Sequence, residues 1–291
     1  MRKKIISVVV VIAGLILLCY PWISEWTYEY SVDSTVNVYE NHVEEINNEE
    51  LQQMLEEARE YNRNLQAAKA ELTDPFIPSE NETENSQYES ILSLDDAGMM
   101  CIVDIPKIDV YLPVYHGAST EVLKMGAGHL EGSSFPVGGE STHAVISAHT
   151  GMSTAKMFTD LTDMEEGDLF FIHILNETLA YRVCDIQVIL PDETDSLTIR
   201  TGRDLVSLVT CTPYGQNTHR LVVTGERTEY TEEIEEEAAQ QTADDTSQWM
   251  DEYRKAVILG ILITVIIFVT VSIVKKVKQR RKYSAWRKGG R

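Results

Sequence analysis

Two long apolar runs, one at each end of the chain, frame a middle whose pattern changes twice. The first extends without a charge from Ile5 to Tyr20, with Ile23 and Trp26 carrying the apolar character past Pro21. The second covers Ala256 to Val274, bracketed by Arg254-Lys255 and Lys275-Lys276. About 20 apolar residues at 1.5 Å each span a bilayer core, so both runs are expected to cross a membrane, the first as an uncleaved anchor because no A-x-A-like site follows it. Between Glu40 and Leu72 the apolar residues Leu51, Met54, Leu55, Ala58, Leu65 and Leu72 recur at spacings of three, four or seven among Glu, Gln, Asn and Lys. This period predicts one or two amphipathic helices, readable either as an arm packed on a domain or as a stalk. Helix must stop near Thr73-Asp74-Pro75, since proline lacks an amide proton and disfavours helical geometry in the residue before it. A polar loop is expected from there to Ser90.

From Met99 the period shortens. Met100–Ile105, Val110–Tyr115, His143–Ala148, Leu169–Leu175, Leu179–Leu190, Leu205–Thr210 and Leu221–Gly225 are short runs rich in Val, Ile, Leu, Thr and aromatics, separated by Gly, Pro, Asn and Asp. Asn176-Glu177 predicts a hairpin, and only Ser153 to Met164 reads as helix. Seven or eight short strands with few helices favour a closed β-barrel or a sandwich over a doubly wound α/β fold. The expected boundaries are a basic tail at 1–4, an anchor at 5–23, a helical arm at 24–73, a lid and loop at 74–98, a barrel at 99–227, an acidic linker at 228–255, a second span at 256–274 and a basic tail at 275–291.

Composition sharpens this organisation. The 291 residues carry 46 acidic and 25 basic side chains, a formal net charge of −21, which excludes a broad nucleic-acid footprint because phosphate binding needs a basic face. Three basic residues precede the first run and nine follow the second, leaving 13 basic and 46 acidic residues between them, a net of −33. Basic residues stay on the cytoplasmic side, so both termini are expected inside, the middle outside, and membrane lipid is an expected partner. Four cysteines are too few and too irregular for a disulfide scaffold or a paired zinc site, and no HExxH or H-x-x-x-H pair occurs, so neither metal nor cofactor is expected.

The candidate chemistry sits in Leu208-Val209-Thr210-Cys211-Thr212-Pro213-Tyr214-Gly215 and Asn217-Thr218-His219-Arg220-Leu221. A cysteine closing an apolar strand before a turn is delivered to a pocket rim. Should the next strand lie alongside, Arg220 comes near the thiol, where a guanidinium favours thiolate and can donate to an oxyanion. A cysteine nucleophile needs a proton-transfer partner, and His149 in Ser147-Ala148-His149-Thr150-Gly151 has the same strand-end context. His116, His129, His143, His173 and His219 compete for the role, and a buried structural cysteine competes with the nucleophile.

These three motifs in this order, with cysteine and arginine nine residues apart, resemble the sortase signature. Ile105-Pro106-Lys107-Ile108, Leu112 to Gly117, Gly126 to Leu130 and Ala155 to Leu161 are similar to the family as well, so the likeness covers about residues 74 to 226. A C-terminal apolar helix and Asp74-Pro75-Phe76 upstream of the barrel resemble class C, the pilin-polymerising sortases of Gram-positive bacteria. The resemblance implies an eight-stranded barrel and transpeptidation at an LPxTG-like signal between Thr and Gly. It implies Cys211 as nucleophile, His149 as proton donor to the leaving amine, Arg220 as the steadying group for substrate and oxyanion, and a lid formed by Asp74, Pro75 and Phe76. Pilin subunits with acceptor lysines would be the partners. A housekeeping sortase, a hydrolytic cysteine protease and a non-enzymatic assembly protein are the other readings.

Overall fold

A computed structural model describes residues 2–68, 72–76, 86–94, 98–152, 155–241 and 253–264, with 266, 269–270 and 273–274. Eight strands, β1 (Met99–Ile105), β2 (Val110–His116), β3 (Ala127–His129), β4 (Thr142–Ser147), β5 (Leu169–Ile174), β6 (Glu177–Ile189), β7 (Asp204–Thr212) and β8 (His219–Thr228), close into a barrel of order β1-β2-β3-β4-β7-β8-β6-β5. Closure is achieved because β1 pairs with both β2 and β5, so neither edge is left open. The pairs β2–β3 and β4–β7 are parallel and the others antiparallel. Seven of the strands fall on the seven short apolar runs of the sequence. The eighth, β3, is Ala-Gly-His, too short and too small to show a period. The hairpin at Asn176-Glu177 joins β5 to β6, with Leu175 at φ 49° making the turn.

Two helices, α1 (Arg2–Glu45) and α2 (Asn48–Ala68), precede the barrel. Val32, Val36 and Tyr39 of α1 and Leu51, Leu55 and Ala58 of α2 are buried in one core with barrel residues such as Met100, Ile102 and Phe135. The spacings of three and four put these side chains on one stripe per helix. Buried polar pins complete the docking. Tyr39 Oη donates to the Met100 carbonyl at 3.0 Å and accepts from the Leu175 amide at 2.9 Å. The Asn62 amide group donates to the Phe135 carbonyl at 3.0 Å and accepts from its N–H at 2.8 Å. The helices are therefore an arm on the barrel and not a stalk.

Several expectations are corrected. Among the described residues no helix is long and apolar enough to cross a membrane. The first apolar run is the head of a 44-residue helix whose later turns carry Glu25, Glu29, Asp33, Glu40, Glu44 and Glu45, and the run 256–274 falls partly outside the described residues. This overturns the expected pair of membrane spans, the lipid partner and the topology with both termini cytoplasmic and an extracellular domain. The basic tail at 275–291 and residues 77–85 and 95–97 of the expected loop lie outside the described residues. The helix expected over Ser153–Met164 is a single 3-10 turn, Thr159–Asp163, because Met157 adopts φ 45° and breaks the run; residues 153–154 are outside the described set. Leu72 leaves the helical stripe, since α2 ends at Ala68. Two further helices, α3 (Ser86–Ser90) and α4 (Val122–Met125), lie in connections. The acidic stretch after β8 contains α5 (Glu232–Gln240), whose start is set by Thr231 accepting from the Ile234 amide and whose first turn is acidic, as the helix dipole favours. The chain forms two units, Met1–Asp245 and Thr246–Arg291, the second helical over 253–264.

Candidate active site

Three neighbouring strands, β4, β7 and β8, bring the candidate residues to one level. Parallel pairing sets Ser147 opposite Val209, so His149 and Cys211, each two residues further on, come to the same height. Antiparallel pairing places Cys211 directly opposite Arg220. The level is held beyond the end of β4: Ala148 N–H donates to the Val209 carbonyl at 3.1 Å, and the buried Thr210 hydroxyl donates to the Ala148 carbonyl at 2.7 Å. Thr210 thus ties the residue before Cys211 to the residue before His149, a positioning role that side-chain chemistry alone does not announce. Phe158 N–H donates to the His149 carbonyl at 3.1 Å from the other side.

A segment ahead of the barrel covers this row. Arg220 donates to Asp74 twice, Nε to Oδ1 at 2.9 Å and Nη2 to Oδ2 at 2.5 Å, with both residues less than a tenth exposed. Its remaining amino group donates to the carbonyls of Asn217 and His219, both at 3.1 Å. The Phe76 ring lies 5.1 Å from the Arg220 guanidinium carbon and 6.0 Å from the His149 ring, so it reaches both ends of the row. Leu72 fills an apolar patch lined by Leu130, Val145, Leu197, Val209 and Val222, with its carbonyl accepting from the Thr194 hydroxyl at 3.1 Å. Leu72 was visible in the sequence only as a helix-face residue; its place in the cover depends on where α2 stops.

Cys211 and His149 are each shifted by their own surroundings. Burial pushes the Cys211 thiol up; the Arg220 charge pulls it down and the Asp74 carboxylate pushes it up again. Burial and the charge of Lys124 hold His149 below its ordinary value. Both shifts favour neutral thiol and neutral imidazole while the cover is in place. For Arg220, burial works against the charge, but the hydrogen bond to Asp74 and the fields of Cys211 and Asp74 outweigh it and hold the guanidinium above its ordinary value.

The competing residues go elsewhere. His143 is buried in β4 with Nδ1 2.9 Å from the Thr198 carbonyl and Nε2 2.8 Å from the Ser207 hydroxyl. His129 is buried between Tyr88 and the Ser134 carbonyl. His116 faces the carbonyls of Gly98 and Ile91, His173 faces Thr178 and Asp104, and His219 contacts Thr218. Cys101 is a free thiol wholly enclosed on β1 and pushed well up by burial. Cys184, also free, donates to the Thr224 carbonyl.

A closed barrel of this kind has counterparts among known proteins. The sortase domain family matches residues 103–228. The structure of sortase C from Streptococcus pneumoniae, described for catalysis and pilin substrate specificity, is 38% identical with a TM-score of 0.62, covering 68% of this chain and 97% of that one. Sortase C-1 from Actinomyces oris is 46% identical with a TM-score of 0.58, over 62% of this chain and 99% of that one. Sortase A of Listeria monocytogenes is 25% identical over 239 residues, 81% of this chain and 96% of its own. The chain belongs to the sortase family, in its class C branch. Its activity is that of a cysteine transpeptidase.

Proposed function

We propose that Cys211, His149 and Arg220 carry out acyl transfer at an LPxTG-like sorting signal of a pilin subunit, with residues 99–227 as the catalytic barrel and Asp74-Pro75-Phe76 as its lid. The observation that carries this reading is the cross-strand pair Cys211–Arg220, capped by Asp74 and Phe76. The Cys211 sulfur attacks the threonine carbonyl while its proton passes to His149. The C–S bond forms, the Thr–Gly C–N bond breaks, and His149 returns the proton to the departing glycine amine. Arg220, released from Asp74, donates to the developing oxyanion. A lysine amine of a second subunit then attacks the thioester: the isopeptide C–N bond forms, the C–S bond breaks, and one amine proton returns to the thiolate through His149. The thioester conserves the energy of the cleaved peptide bond, so no nucleotide is needed.

The test is intact mass measurement of the protein incubated with a sorting-signal peptide. An adduct equal to the acyl half of the peptide is expected in the unaltered chain and absent in Cys211→Ala. Persistence of the adduct in Cys211→Ala overturns the assignment of the nucleophile.

A further inference from the structure

The lid accounts for one flank of the reacting row and leaves the other to a feature that the reaction above does not use. Leu72 and its patch (Val145, Val209, Val222) lie before the row along β4 and β7, and the lid reaches the row from that side. Beyond the row comes the turn between β7 and β8, tightened by Gln216 and Asn217 N–H groups both donating to the Pro213 carbonyl at 3.0 Å. This turn presents Tyr214, three residues after Cys211, a residue 58% exposed. The Cδ2–Cε2–Cζ side of the ring rests on Gly151, two residues after His149. A Cβ on Gly151 would lie 2.6 Å from Tyr214 Cε2, and the backbone there is left-handed at φ +72°, so only glycine accommodates the contact. The glycine is fixed from behind by its N–H donating to the Thr159 hydroxyl at 3.0 Å.

Tyr214 therefore closes the gap between the cysteine strand and the histidine turn on the side away from the lid. The residues bordering that gap include no carboxylate: 212–218 reads Thr-Pro-Tyr-Gly-Gln-Asn-Thr and 148–152 reads Ala-His-Thr-Gly-Met. The acid closest to the row, Asp74, is committed to Arg220. An incoming lysine arrives as an ammonium ion, and on this flank the aromatic ring of the exposed Tyr214 can attract a cation through its quadrupole. Water has no such hold.

We infer that Tyr214 is a specificity-determining residue for the second half-reaction, its exposed ring receiving the alkylammonium of the acceptor beside the thioester and so favouring amine over water. The inference rests on the transpeptidase reading above. From the ring, the ammonium gives one proton to His149 or solvent; the free amine attacks the carbonyl, the C–S bond breaks, and the thiolate is reprotonated.

The partition of the thioester among nucleophiles tests this without depending on how fast it forms. The full-length chain carrying Asp74→Ala, which releases the lid, is acylated with a sorting-signal peptide and offered either the amide of Nα-acetyl-lysine or hydroxylamine, which is uncharged at neutral pH. Products of amine and water capture are counted by mass. Adding Tyr214→Ala should lower the lysine-to-water ratio about fivefold and leave the hydroxylamine-to-water ratio within about twofold, while Tyr214→Phe, which keeps the ring, should retain the lysine ratio. Equal loss toward both nucleophiles, an unchanged lysine ratio, or Tyr214→Phe behaving as Tyr214→Ala overturns the inference. Failure of the Asp74→Ala parent to form any adduct overturns the transpeptidase reading and the inference with it.

Discussion

At the scale of single residues the site is governed by which charges stand beside one thiol. Arg220 lowers the proton affinity of Cys211, but Asp74 opposes that effect and, by pairing with the guanidinium, holds Phe76 over the row. Replacing Asp74 by Ala removes the opposing charge and the latch together, so both act in one direction: the Cys211 thiol becomes easier to ionise. The pH at which Cys211 is half-alkylated by a small haloacetamide is expected to move downward. At neutral pH the rate should rise about tenfold, the scale of losing a buried, charge-assisted hydrogen-bond pair. An upward or absent movement of the profile would mean that Asp74 does not shape the nucleophile. His149 and Cys211 were readable from the sequence as strand-end residues, and the register between β4, β7 and β8 explains why. Thr210 was not, because a hydroxyl bonded to a main-chain carbonyl one strand away leaves no trace in spacing.

The cover is best understood as an element with two footholds. Asp74 supplies an electrostatic one and Leu72 an apolar one, set about two residues apart along an extended segment. Burying a leucine contributes on the order of 2 kcal/mol, comparable with the ion pair once its desolvation is counted. Leu72→Ala should therefore raise the alkylation rate of Cys211 roughly tenfold, as Asp74→Ala does, while leaving the pH midpoint closer to that of the unaltered chain, since no charge is removed. A Leu72→Ala chain with an unchanged rate would show that the apolar foothold does not hold the lid. The strands of the barrel are legible as short apolar runs between turn residues because most of their positions are buried on both faces. What stayed hidden was short or carried by capping: β3 has three residues, and α5 reads as an acidic linker until Thr231 is seen to cap it. The anchoring of α5 is equally illegible, since Arg182 on β6 grips Glu237 through two bonds of 2.7 and 2.9 Å across 55 residues. Composition identifies such charges as surface and cannot pair them.

For the molecule as a whole, two buried histidines make stability depend on pH in a range where carboxylates are still ionised. His129 and His143 are both held down to about 4 from an ordinary 6.5, first by burial; the charges of Arg200 and Arg203 add to the effect at His143. Each is satisfied as a neutral ring. His129 Nε2 lies 2.8 Å from the Ser134 carbonyl, which requires an N–H there, and Nδ1 can then accept from Tyr88 Oη at 2.9 Å. His143 likewise donates from Nδ1 to the Thr198 carbonyl and accepts at Nε2 from Ser207. The unfolded chain protonates these rings near 6.5 while the folded chain resists until about 4, so the unfolded state binds more protons between those values and acidification favours unfolding. From pH 6.5 to 5 each histidine should cost roughly 1.5 kcal/mol of stability, and the pair about twice that. Urea unfolding at a series of pH values should show this fall. In His143→Asn, whose amide N–H can replace the Nδ1 donor without titrating, the fall should shrink by about half. A slope as steep in His143→Asn as in the unaltered chain would show that the ring is already charged in the fold. That outcome would also reopen the role of β4, because a charged His143 could not sit between Thr198 and Ser207 without a counter-ion, and β4 is the strand that sets the height of His149.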